Sequence, residues 1–243
     1  MRTLLFAAAM LSCLAVRPAS CQTPEPSASL SGFTLTCEDF EDPRAVGNLE
    51  TLCRVWGYAK YHHPVFCDTL CRVDVDSALF VLLPRVVHAD RETRNRHLLD
   101  WVRSLGDYTP NRVECEQSLA PLELVSTVDL AWTRDTTLLG RDLSRLLQDL
   151  RYAERGENYY LRMGTTGNGP GYHYLSLRGE SFHPTPQMDS GLNLLTLFRL
   201  WNIIEYYAPY RAVTLHPWEE VLSTYIPPVS YTHLRAHETL RHL

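Results

Sequence analysis

The sequence predicts a mainly α fold, a single helical domain with two related helix units and a minor β-hairpin. Three observations lead there. One helical pattern occurs twice in the chain. Between the copies, leucines and tryptophans recur at three- and four-residue steps, the period of a helix buried on one face. Only one pair of short extended runs stands apart, flanking a glycine-dense turn.

The chain opens with one arginine and an apolar run, Leu4 to Val16, and reaches small residues at Ala19-Ser20-Cys21. This pattern predicts a signal peptide over residues 1–21 and export to the periplasm or cell envelope; the run is too short and wrongly flanked to span a membrane. Cleavage after Cys21 would release a soluble protein. Cleavage before it would leave Cys21 for lipidation and tether the chain to the membrane by a lipid anchor, although Pro18 stands where such signals usually carry an aliphatic residue. A flexible tether is expected over residues 22–44, its first part rich in Pro and Ser. The domain is expected over residues 45–229, long enough for one proper core.

The first copy of the pattern runs from Leu52 to Pro64 and the second from Leu197 to Pro209; both read L-x-R-x-W-x-x-x-x-Y-x-x-P. Trp201 follows Trp56 by 145 positions, too far for a stacked array of repeats. Leu49, Leu52, Trp56 and Ala59 fall on one helix face, as do Leu194, Leu197, Trp201 and Ile204. The closing proline lacks an N–H and ends each helix. A weaker echo follows, Leu83-Pro84-Arg85-Val86 against Ile226-Pro227-Pro228-Val229. Two equivalent units packed about one core, with Trp56, Tyr61, Trp201 and Tyr206 as repeat-core aromatics, is the favoured arrangement, because aromatic stripes at helical spacing bury large areas. The alternative is an aromatic groove for a ligand.

Between the copies, Asp76 is a candidate cap for a helix carrying Leu79, Leu82 and Leu83, which Pro84 ends or kinks. Asp90 precedes a helix with Leu98, Trp101, Val102 and Leu105 on its stripe. Asp107 to Gln117 reads as a loop. Leu139, Leu143, Leu146, Leu147 and Leu150 mark an amphipathic helix. Tyr159 to Met163 and Tyr172 to Leu177 then make the hairpin. The turn between them, Thr165 to Gly171, lacks the Gly-Lys-Ser/Thr ending of a phosphate loop.

Composition narrows function. The net charge is −5 with a pI near 6.0 and no basic stripe, which argues against nucleic acid as a partner. Beyond the signal stand Cys37, Cys53, Cys67, Cys71 and Cys115, read as one or two loop disulfides and a buried thiol. The cysteines and His62 and His63 match no paired zinc-ligand spacing. His173 and His183 read as surface residues. No cofactor or metal site is expected. Lys60, the only lysine, reads as a solvated helix residue, with Glu205 in its place in the second copy. No serine sits in a nucleophile turn, so no catalytic residue is assigned. His233 and His237 have zinc spacing, but Ser230 to Thr239 resembles a translated sequencing adapter, and residues 230–243 are therefore expected to be non-native.

The helix N-L-x-x-L-x-x-V-W-G-Y-x-K-Y-x-H-P from Asn48 to Pro64, followed by L-F-R-L-W-N-I-I-E-Y-x-x-P-Y from Leu197 to Tyr210, resembles the N-terminal region of one group of exported bacterial peptidases. These belong to the C-terminal-processing (tail-specific) serine peptidase family. The resemblance spans about residues 45–229 and implies a non-catalytic N-terminal fragment of such a protease. Proteolysis would belong to a peptidase domain with a serine nucleophile and a lysine base, the expected partner, which is absent from this chain. The fragment would scaffold that domain or recruit unfolded polypeptide ends. The rival expectation is a non-catalytic surface module that binds peptide or glycan through the paired aromatics.

Overall fold

The computed structural model describes residues 31–67, 73–112, 128–165, 173–178, 180, 189–208 and 217–241. Over these it is mainly helical, with six α-helices and a two-stranded antiparallel sheet. The expected signal peptide, Cys21, Cys71, Cys115, His183 and Pro209 lie outside the described residues, as do the side chains of His173, His233 and His237.

Five helices open on an aspartate whose carboxylate accepts a free N–H of the first turn. They are α1 (Pro43–His62, capped by Asp42), α2 (Val75–Val86, Asp74), α3 (Arg91–Ser104, Asp90), α4 (Thr136–Leu150, Asp135) and α5 (Ser190–Tyr207, Asp189). The last helix, α6 (Val221–Arg241), follows a 3-10 turn at Trp218–Glu220. Asp76 is not the cap of α2. Asp74 reaches the N–H groups of both Asp76 and Ser77 at 3.1 Å, which leaves Asp76 for another partner. Pro84 does not end α2, which continues to Val86.

α1 is the central helix. Leu49, Leu52, Cys53, Val55, Trp56, Tyr58 and Ala59 are all fully buried, more than one face of a surface helix would bury. Trp56 Nε1 donates to the Val75 carbonyl at 2.8 Å, tying α1 to α2, and Tyr58 Oη donates to the Leu147 carbonyl at 3.1 Å, tying it to α4.

The two copies of the pattern become α1 and α5, and these cross at equivalent residues. Gly57 and Asn202 hold the same place in the two copies. The Asn202 carboxamide lies where a Cβ on Gly57 would sit. Its Nδ2 donates to the carbonyls of Cys53 at 3.1 Å and Phe198 at 2.8 Å, again equivalent positions. One turn on, the equivalent tyrosines Tyr61 and Tyr206 meet edge to face at 5.7 Å. Equivalent contacts on successive turns mean that the helices run in the same direction. The rest of each unit follows: α1 touches α6 while α5 touches α2, the reciprocal pair expected of a local pseudo-two-fold. The weak echo holds too, with Pro84 inside α2, Pro227 inside α6, and their neighbours Leu83 and Ile226 both fully buried.

Gly140 breaks α4 with φ +72° and ψ 168°. The Leu138 carbonyl freed by the break accepts from Arg94 Nη2 at 2.6 Å and Asn95 Nδ2 at 2.9 Å. Arg94 Nη1 also donates to Asn48 Oδ1 at 3.1 Å, and Asn48 Nδ2 donates to the Ala89 carbonyl at 2.8 Å, so one polar knot joins α1, α3 and α4. The hairpin pairs β1 (Leu161–Thr165) with β2 (His173–Leu177) in the register Leu161↔Leu177 to Thr165↔His173. This matches the expected runs to within two residues.

One expected boundary moves, and a helix runs through another. The tether does not extend to residue 44: Phe33 and Leu35 are buried, with Ser31 N on Asp189 Oδ2 at 2.9 Å and Leu35 N on Ser190 Oγ at 2.7 Å. Two apolar side chains alternating with threonines can dock while the backbone bonds the start of α5. The non-native stretch expected from Ser230 begins inside α6. Ser230 is fully buried and its carbonyl accepts from Ser190 Oγ at 2.7 Å, while Tyr231 meets the Phe40 ring at 6.2 Å.

The crossing gives a paired test. Gly57→Ala is expected to destabilise by about 1–3 kcal/mol, the cost of overpacking a closed site. Gly47→Ala, also inside α1 but with open space around a new Cβ, is expected to stabilise by about 1 kcal/mol through helix propensity. Denaturant melts of both variants check this; a neutral Gly57→Ala would mean that the helices do not approach so closely. Trp56→Ala and Trp201→Ala, which truncate buried rings, should each cost about 3–5 kcal/mol in the same melts.

Candidate functional site

Lys60 is not solvated. It is fully buried, and the phase of its helix explains why: it follows Trp56 by one turn and so falls on the same inward stripe. Its Nζ lies 5.0 Å from the Trp56 ring centre, 4.5 Å from Tyr160 and 5.7 Å from Tyr61. Three negative ring faces thus surround the ammonium. The remaining side is closed by Glu180, whose Oε1 accepts from Lys60 Nζ.

From Glu180 the charges continue outward. Glu180 Oε2 stands 2.9 Å from Arg199 Nε on α5, and Arg199 Nη2 donates to Asp76 Oδ2 at the start of α2. The result is a chain of alternating sign, Asp76, Arg199, Glu180, Lys60, which begins at a side chain 23% exposed and ends at one fully buried. It joins α2, α5, the segment after the hairpin, and α1. Burial pulls the Lys60 ammonium below its usual range against the opposing pull of Glu180. Burial and the Glu180 charge push the Tyr61 hydroxyl up, so it stays a neutral phenol.

Chemically the cluster is closed. An amine that acts as a base must reach a proton on the substrate. Lys60 has no exposed surface, and its Nζ faces three rings and a carboxylate. The arrangement fixes structure: each charge is matched, so the site holds a register and not a ligand.

The four aromatics of the repeat divide between two places. Trp56 and Tyr61 wall the Lys60 site, and Tyr206 packs against Tyr61 from α5. Trp201 stacks on Trp218 at 6.2 Å with the Arg54 guanidinium 5.6 Å over its ring. Trp56, Tyr61 and Trp201 are at most 4% exposed, and Tyr206 is half-buried, which leaves no open aromatic groove at these residues. Cys53 is a buried thiol whose ionisation burial pushes far up. Among the described residues, no group of three or more His, Cys, Asp or Glu could hold a metal ion, and no helix is long and apolar enough to cross a membrane.

Sequence reasoning missed Glu180 and the outward role of Asp76 and Arg199, since nothing local links residues so far apart in the chain. The signal available was the phase of Lys60: a charge on a buried stripe demands a counter-charge.

Beside this cluster, His62 stacks on Tyr58 at 4.0 Å and donates from Nδ1 to the Tyr58 carbonyl at 2.9 Å. Burial, with the charges of Arg155 and Arg151, pushes its imidazole down to about 3. His63 is likewise pulled down by burial.

Two measurements follow. Removing one partner of a buried pair strands the other charge, so Glu180→Gln, which leaves Lys60 without its carboxylate, is expected to cost about 3–5 kcal/mol. Lys60→Met should cost less, because Glu180 keeps Arg199. A double-mutant cycle read by denaturant melts checks the order; the reverse order would remove Glu180 from the centre of the chain. For pH, the folded His62 binds its proton less readily than the unfolded chain. Stability is therefore full above about 6.5 and falls as pH drops toward 3, with about 2 kcal/mol lost at pH 5 relative to pH 7. His62→Phe should flatten that part of the stability profile.

No protein-family model, no curated protein and no solved structure matches this chain.

Proposed function

We propose that the chain is a non-catalytic helical module of an exported tail-specific serine peptidase, which scaffolds the peptidase domain of the same polypeptide or recruits unfolded polypeptide ends to it. The observation that carries this reading is the use of the two motif copies. Gly57, Asn202, Tyr61 and Tyr206 are consumed in the helix crossing, the two tryptophans are buried, and Lys60 is closed off by Glu180. Residues spent in this way build a rigid body. The motifs that carry the family resemblance are thus the ones that make the architecture. Export rests on the apolar run and the Ala19-Ser20-Cys21 site, with the membrane reached only through a lipid on Cys21.

The surface-module reading requires exposed rings. Burial of Trp56, Tyr61 and Trp201 weighs against it.

The test begins at the gene. Sequencing the source locus downstream of the Val229 codon should show a frame that continues into a Gly-x-Ser turn and a later lysine; a stop codon within a few residues would sink the module reading. The purified chain should show no labelling by a serine-reactive fluorophosphonate and no cleavage of unfolded peptides. Cleavage abolished by replacing one serine would overturn the non-catalytic assignment. Mass spectrometry of the mature protein from the cell envelope should place the N-terminus at Cys21 or Gln22, and an intact Met1 in the cytoplasm would refute export.

A further inference from the structure

A pocket of about 360 Å³ lies where the first turns of α1, α3 and α4 come together, well apart from the Lys60 cluster. Three arginines line it, Arg44, Arg91 and Arg94, against a single carboxylate, Asp135. The aspartates of this region are already engaged. Asp135 Oδ1 accepts from Thr137 N, Leu138 N and Thr137 Oγ1 as the cap of α4. Asp42 caps α1 and pairs with Arg44 at 3.0 Å, and Asp90 caps α3. The helix-terminal partial charges are thus met by their own caps, and one of the three guanidinia by Asp42.

Arg94 is the unusual member. It is 4% exposed, yet its partners are all neutral: Asn95 Oδ1 at 3.0 Å from Nε and 2.9 Å from Nη2, the Leu138 carbonyl, and Asn48 Oδ1 at 3.1 Å from Nη1. Those bonds use four of the five guanidinium hydrogens and leave one on Nη1. Arg91, in the same pocket, donates to the Thr137 carbonyl at 2.9 Å, also a neutral partner. A buried guanidinium is normally matched by an anion, because its desolvation is otherwise uncompensated. Here the buried Arg94 has only carbonyl and carboxamide acceptors, the exposed Arg91 stands beside it on α3, and burial and the Arg91 charge pull Arg94 down. Gly47 on the α1 wall has nothing within 4 Å of a would-be Cβ, so the pocket keeps room against these arginines.

We propose that this pocket binds a phosphoryl oxyanion, held by Arg91 and Arg94 with Arg44 at its rim. A tetrahedral phosphoryl group presents oxygens in several directions and suits guanidinia that arrive from two helices, where a carboxylate would be met by one arginine fork.

Isothermal titration calorimetry with inorganic phosphate and with glycerol 3-phosphate, at constant ionic strength balanced by sodium chloride, tests the assignment on the full chain. Saturable binding of either probe is expected; binding of glycerol 3-phosphate assigns a phosphomonoester, and binding of inorganic phosphate alone assigns the free anion. Arg91→Ala should weaken binding by about tenfold, the loss of one charge-assisted contact. Gly47→Leu, which fills the pocket without replacing an arginine, should abolish binding while the melting temperature in phosphate-free buffer holds or rises. Arg145→Ala, an exposed change on α4 outside the pocket, should bind as the parent does. No saturable heat with either probe, or equal affinity in the parent, Arg91→Ala and Gly47→Leu proteins, would overturn the proposal.

Discussion

The approach of α1 to α5 at Gly57 and Asn202 is the constraint on which the domain depends. Two helices that cross in the same direction at equivalent residues meet on a pseudo-two-fold, and two full side chains cannot occupy one point on such an axis. The chain solves this unequally, with no side chain on one helix and a carboxamide on the other. Asn202 then bridges both backbones through the carbonyls of Cys53 and Phe198. Its Oδ1 has no hydrogen-bond partner, a cost set against the fixed register. A slip of one turn would bring side chains together where none fits, so the carboxamide acts here as a buried polar residue does in a coiled coil. Around it, α2 and α6 can pack reciprocally only because the crossing sets both angle and depth.

The charge chain depends on the same geometry. Arg199 reaches Glu180 and Asp76 because α5 lies against α1, and Glu180 closes the side of Lys60 that the aromatic rings leave open. A buried ion pair contributes little net stability against an apolar substitute, but breaking it is costly. Its effect is to make alternative packings expensive. Glu180 is thereby fastened to the central helix through its carboxylate.

The two copies share a pattern and have separated in chemistry. Arg54 lies over the Trp201 ring, whereas its counterpart Arg199 carries the ion pairs. Lys60 faces a carboxylate, and its counterpart Glu205 is also buried, on the opposite unit. Asymmetry is what lets a repeated helix make a closed core: the shared tryptophans and tyrosines supply the area, and the differing residues at the interface supply fit.

The sequence by itself determined helices α1 to α5, the doubled pattern, the hairpin and the inward placement of Trp56 and Trp201. These follow from periodicity, from the Asp90 cap and from proline, all of which act within a few residues along the chain. It named Asp76 as the cap of α2, whereas Asp74 holds the first-turn N–H groups and Asp76 pairs with Arg199. It misread Lys60, because residue type suggested solvent while helix phase pointed inward, and the deciding partner is Glu180, far along the chain. It placed the tether by composition, whereas Leu35 is held by Ser190, a serine with no local mark. Only the tertiary structure decided these points, because burial and pairing between distant segments depend on where the α1–α5 crossing brings them, and no periodicity along the chain encodes that position.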